Sequence, residues 1–134
     1  MLATELIQYL TAAGYSVYPD PNFIPADLPE AKLPCLFVMG TGGYEPHAYV
    51  PTERPTFQVI VKGKSYKTIP DNMAATEALA KGLIKHLHRR VNYGVGETHV
   101  FSSIAIQSSP IPLGLDDKDH PMFSTNFMFY TKEA

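Results

Sequence analysis

At 134 residues the chain is long enough for one domain with its own core and too short for two. Eleven Lys and Arg against thirteen Asp and Glu leave a formal net charge of -2, which excludes a general affinity for nucleic-acid phosphates as the main activity. A 45% hydrophobic share is normal for a globular domain, and low charge with fifteen aromatics is a poor match for a disordered chain. The 18% charged share, low beside eight Tyr and seven Phe, fits a protein that hides more surface than a monomer does, as in an assembly.

Residues 2–13 predict a helix. Leu2, Leu6 and Leu10, with Ala3, Ile7 and Ala13 alongside, form one apolar stripe, Thr4 and Glu5 lie in the first turn, and Gly14 is placed as the C-terminal cap. Residues 15–18 suit a short strand, stopped by Pro19-Asp20-Pro21, and residues 33–39 a second one. Seven of the twelve prolines fall between residues 19 and 51, together with Gly40, Gly42 and Gly43, so this region is expected to be rich in loops. Residues 44–50 read as a ragged edge strand or arm, and residues 39–53 together as a mobile arm or loop.

Residues 56–62 carry the clearest strand pattern. Phe57, Val59 and Val61 point one way, Gln58, Ile60 and Lys62 the other, and Gly63 ends the run. Residues 70–90 predict the long helix, opened by Pro70 and Asp71. Ala75, Leu79, Leu83 and Leu87 form its stripe, widened by Ala78, Ala80, Ile84 and Val91, and Lys85, His86, His88, Arg89 and Arg90 gather at its end. Residues 98–108 alternate as a strand with Val100, Ile104 and Ile106 inward and Phe101, Ser103 and Gln107 outward, broken by Pro110 and Pro112. A polar turn over residues 114–120 leads to a last strand over residues 122–131, where Phe123, Phe127 and Phe129 share a face with Thr125. The last two strands are expected to pair antiparallel. The expected fold is α+β: a single domain over residues 1–134 with one mixed, largely antiparallel sheet, both helices on one face and a long loop or arm.

Little of this points to catalysis. The glycines of 40–43 are followed by Tyr44-Glu45-Pro46 and not by the helix start that a phosphate loop needs. Cys35 sits within an apolar strand, as a small buried hydrophobe does, and a single cysteine excludes an internal disulfide and suits a reducing compartment. His86 and His88, two apart on a helix, face different ways and cannot share a metal, and His47, His99 and His120 are scattered. Asp116-Asp117-Lys118-Asp119 lacks the glycine and distal glutamate of a calcium loop and reads as a charged turn. No catalytic residue, cofactor or metal site is assigned. The N-terminus lacks the pattern of a signal peptide, and no apolar run approaches the roughly 18 residues of a membrane span.

Surface contact is the better-supported chemistry. Tyr44 and Tyr49 lie in the arm, with Glu45 and His47 beside them, and Tyr66 follows the clearest strand. Tyrosine gives rigid contact area with a polar tip and is common at interfaces. Asp116, Asp117 and Asp119 complete the candidate interface set.

The C-terminal two-thirds resembles the tail terminator proteins of long-tailed bacteriophages, often described as minor capsid proteins. Residues 54–63, Arg-Pro-Thr-Phe-Gln-Val-Ile-Val-Lys-Gly, match a strand pattern of the type Pro-x-x-Gln-x-x-Val-Arg-Gly, with Lys62 in the place of the arginine. Ser65-Tyr66 and the long helix follow in the same order. Then come Ser109-Pro110, the Leu113-Gly114-Leu115-Asp116 turn and an aromatic strand over residues 123–130. Gly14-Tyr15 after the first helix also fits. The match spans about residues 54–131, while residues 19–53 do not align.

The resemblance implies a structural virion protein, assembled in the host cytoplasm, that forms a six-membered ring of its own copies at the head-proximal end of the tail tube. It implies that the ring stops tube growth and offers a surface to head-completion or connector proteins of the neck. DNA would pass through its lumen without specific binding. A mildly acidic lining, which lacks the cations that hold phosphates, is the reading of the residues that fits this passage of DNA, with Asp116, Asp117 and Asp119 as candidates for the lumen or for a contact face. Neither catalysis, a cofactor nor a membrane is implied. The competing readings are a head-completion ring of the neck, a small ligand-binding α+β domain, and an enzyme using the His and Asp residues.

Overall fold

The computed structural model describes residues 1–67 and 71–133. The expected opening of the long helix at Pro70 lies outside the described residues.

Helix α1 spans Ala3–Ala12 and buries Leu6, Ile7 and Leu10. Leu2 is its N-cap and is 67% exposed, so the apolar stripe starts one turn later than expected. The helix stops where Gly14 adopts a φ of 103°: Gly14 N–H then donates to Thr11 O and Tyr15 N–H to Leu10 O, which satisfies two of the last carbonyls. The strand expected over residues 15–18 reduces to one parallel bridge between Val17 and Leu36. The prolines that follow it allow no further ladder.

Strands β1 (Cys35–Tyr44) and β2 (Thr52–Lys62) form a long antiparallel hairpin. The expectation of a loop over residues 39–53 is corrected here, because residues 39–44 and 52–53 lie within the strands and only residues 45–51 form the connecting end. The glycines do not break the ladder; they admit an irregularity between Gly40 and Gly43. At Gly43 the φ is 122°, and a Cβ would lie 2.4 Å from Arg54 O, so only glycine lets the two backbones approach this closely.

Helix α2 spans Asn72–Leu87 and buries Thr76, Ala80, Leu83, Ile84 and Leu87. Its inner face is turned relative to the expected stripe: Ala75 is exposed and Leu79 half-buried. The cause is a close crossing at the end of β2, where a Cβ on Gly63 would lie 1.8 Å from Thr76 Oγ1. The helix ends before residue 90, since Arg89 takes a φ of 65° and turns the chain into a strand. That strand, β3 (Arg90–Val95), was not expected. It forms a hairpin with β4 (Thr98–Ala105) through a turn at Gly96, whose φ is 58°.

In β4 the register shifts between Val100 and Ser102. The bulge brings Val100 and Ser103, three positions apart, to the interior, while Ile104 and Ile106 are 38% and 45% exposed. The expected phase, with Ile104 and Ile106 inward and Ser103 outward, is thereby reversed beyond Val100. Strand β5 (Ile111–Leu115) occupies residues expected to be a proline break and polar turn. It tolerates Pro112 because it pairs with β6 (Pro121–Lys132) alone, with a register shift after that proline.

Every strand pair is antiparallel, and the order is β1-β2-β6-β4-β3, with β5 also on β6. The chain is therefore α+β. The larger core cluster joins Leu6, Leu10, Leu83 and Leu87 of the helices to Val59, Phe127 and Phe129 of the sheet. A smaller one gathers Leu33, Cys35, Phe37 and Ile60.

Candidate assembly surfaces

The outer end of the β1–β2 hairpin is shaped by bonds between its own residues. His47 N–H donates to Thr52 O, and His47 Nδ1 accepts from the Tyr49 and Val50 amides at 3.1 and 3.0 Å. Arg54 Nη2 donates to Glu45 O at 3.2 Å, and its guanidinium lies 5.4 Å from the centre of the Tyr44 ring. The turn is thus folded while its aromatic surface stays outside: Tyr44 is 55% exposed and Tyr49 92%. Glu45 and His47 are exposed beside them.

The Asp116–His120 turn is a second ordered cluster. Asp116 Oδ1 accepts the Lys118 and His120 amides at 2.9 and 2.8 Å. Its Oδ2 lies 2.6 Å from Lys62 Nζ and 2.8 Å from His120 Nδ1. The other ring nitrogen of His120 meets Glu30. Burial acts to raise the Asp116 carboxyl, but Lys62, His120 and the Lys118 amide outweigh it and hold it well below the usual carboxylate range. Asp119 pairs with Lys67 at 2.8 Å, and its carbonyl accepts Tyr66 N–H, which brings half-buried Tyr66 to this turn. Asp117 is exposed. The three aspartates expected to act alike therefore differ, and Asp116 is committed to the interior.

The candidate residues fall into two groups at opposite ends of β2. Tyr44, opposite Arg54, sits at the Thr52 end with Glu45, His47 and Tyr49 just past it, whereas Tyr66, Asp116, Asp117 and Asp119 gather beyond Lys62. Eleven residues of strand separate the two by about 33 Å.

Sequence reasoning missed a third surface. Between α2 and the link after β4 runs a groove of about 460 Å³, with Lys81, Lys85 and His88 on one side and Ala105 and Ile106 on the other. The apolar residues at 104 and 106 were the available signal, but the β4 bulge is what turns them outward. Next to them, Ile111, Leu113 and Leu115 of β5 are also exposed.

The groups that could have carried catalysis are placed otherwise. Cys35 is 4% exposed and burial pushes its thiol up, away from a reactive thiolate. His86 packs against the Tyr9 and Tyr15 rings, whereas His88 Nδ1 accepts the Ala105 amide, so the two diverge. Among the described residues no group of three or more His, Cys, Asp or Glu is placed to hold a metal, and no helix is long and apolar enough to cross a membrane.

The fold is thus an antiparallel α+β sheet with an exposed aromatic hairpin end and ordered surface turns. The model of the family described as bacteriophage tail terminator protein matches residues 9–132, and the chain belongs to that family. Its role is accordingly that of a structural protein of the phage tail. No individual curated protein matches the chain.

Proposed function

We propose that copies of this chain close into a six-membered ring on the head-proximal end of the tail tube, stop its polymerisation and present a surface for head attachment. In this reading the protein is a minor capsid component of the neck. It binds itself, the tail tube protein and a head-completion or connector protein, and performs no catalysis. A ring built head to tail needs two different surfaces on each subunit, and its stacking on a tube needs further ones. The observation that carries the reading is the separation of the two groups by the length of β2: an exposed tyrosine hairpin at one end and a charged turn at the other. DNA passes through the lumen without specific binding, and exposed Asp117 is a candidate for the lining.

Electron microscopy of particles made without this protein tests the proposal. Overlong tails lacking heads are expected. Tails of normal length joined to heads would overturn it.

A further inference from the structure

Four of the eleven Lys and Arg residues, Lys81, Lys85, Arg89 and Arg90, fall within ten positions spanning the end of α2 and the start of β3. Among the described residues none of them forms an ion pair. Lys81 Nζ donates to Ser108 O at 2.6 Å, and the Arg90 guanidinium lies over the Tyr9 and Tyr93 rings. Lys85 and Arg89 are exposed. The side of α2 that carries Lys81 and Lys85 borders the 460 Å³ groove, whose floor is apolar (Ile84, Ala105, Ile106) and whose rim is basic (Lys81, Lys85, His88).

The hairpin end has the opposite character. Glu45 and Glu53 flank Tyr44, Tyr49 and Val50, and Glu133 adjoins them, its amide bonded to Pro51 O. Of the two cations there, Arg54 is turned onto Tyr44 and Glu45 O, and Lys132 faces Thr52 across the ladder. The end therefore offers three carboxylates around an exposed apolar and aromatic surface. It cannot reach the groove of its own subunit, because β6 lies between the hairpin and β4 in the sheet.

We infer that the hairpin end of one copy seats in the α2 groove of a second copy, its tyrosines on the apolar floor and its carboxylates against the lysine rim. The contact rests on the ring proposed above. It is heterologous, so repeating it closes a ring or extends a filament. DNA would satisfy the lysines but leave the apolar floor and Tyr49 uncovered, which favours the second copy as the occupant.

The test uses the full chain, in solution and on tail tubes, with self-association followed by sedimentation. The variants K81E/K85E and E45K/E53K each place like charges on both surfaces, and each is expected to associate about tenfold or more weakly than the parent. An equimolar mixture of the two restores opposite charges at every contact in an alternating ring, so association is expected to return. That recovery also excludes misfolding as the cause of the loss. Wild-type association in either variant, or no recovery on mixing, overturns this contact while leaving the ring standing. A parent chain that stays monomeric in both settings overturns the contact and the ring together. If K81E/K85E loses binding to a short DNA duplex but associates normally, the groove is a DNA site and the inference is rejected.

Discussion

Lys62 and Asp116 hold each other inside the protein: Nζ lies 2.6 Å from Oδ2, with the lysine side chain 5% exposed and the aspartate 13%. The pair fastens the end of β2 to the turn before β6, and His120 extends it to Glu30. Asp116 is also one of the residues that carried the family likeness, whereas Lys62 stands where that pattern has an arginine. Asp116→Asn leaves the Lys62 ammonium buried without a counter-charge, a loss of about 3–5 kcal/mol. Lys62→Met together with Asp116→Asn removes both charges and is expected to recover most of it. Urea unfolding of the two single variants and the double variant checks this. Equal losses in Asp116→Asn and the double variant would show that the ammonium is solvated in the native state.

The same pair sets an acid limit. A carboxyl held below its ordinary value favours the folded state at pH values above the unfolded pKa, about 3.9 for aspartate. As pH falls through that value the unfolded chain takes up the proton first, and the contribution declines. The melting temperature is therefore expected to drop more steeply below about pH 4 in the parent than in the double variant. Parallel curves for the two proteins would assign the acid loss to other carboxylates, such as Glu5, which burial would raise but the Leu2 amide and its other hydrogen-bond donors lower.

Ser103 links the helix to the sheet. Its hydroxyl donates to Leu87 O at 2.6 Å and meets Tyr93 OH at 2.6 Å, with the serine fully buried. Ser103→Ala leaves a helix-end carbonyl and a phenol short of a partner and is expected to cost about 1–3 kcal/mol. Burial, with Tyr9 nearby, pushes the Tyr93 phenol up to about 12, against the opposing effects of Ser103 and Arg90. That raised value stabilises the fold below the unfolded pKa of about 10, and the benefit is lost as pH rises towards 12. Tyr93→Phe is expected to flatten the alkaline fall in melting temperature, and an unchanged slope would refute the assignment.

The fold class and the Phe57–Val59–Val61 and Phe123–Phe127–Phe129 faces were legible because a two-residue period survives in an unbroken ladder. What misled was local geometry set by a neighbour. The β4 bulge reversed the phase after Val100, so Ser103 went inward and Ile104 outward. The close crossing of Gly63 and Thr76 turned the inner face of α2. Val91, Tyr93 and Val95 alternate over a run too short to separate from the helix end, and the glycines of β1 suggested a loop where a partner strand holds them. In the candidate set, exposure of Tyr49 followed from its place among prolines, but the burial of Asp116 did not, because Lys62 approaches it from a strand 54 positions earlier.

The assembly residues separate from the stabilising ones by a simple criterion. Tyr49 is 92% exposed and supports no core, so Tyr49→Ser is expected to leave the stability within about 0.5 kcal/mol. The same change removes a large rigid contact from the hairpin end and is expected to lower the capping of tail tubes in a reconstitution assay. Asp117→Lys is likewise neutral for folding, since that side chain is exposed, and it isolates the acidic lining from the internal pair. Substituting Asp116 as well would confound the reading with unfolding. Slower genome ejection from Asp117→Lys particles of normal morphology is the expected result, because an added cation gives passing phosphates something to hold. Ejection at the parental rate would place Asp117 outside the lumen.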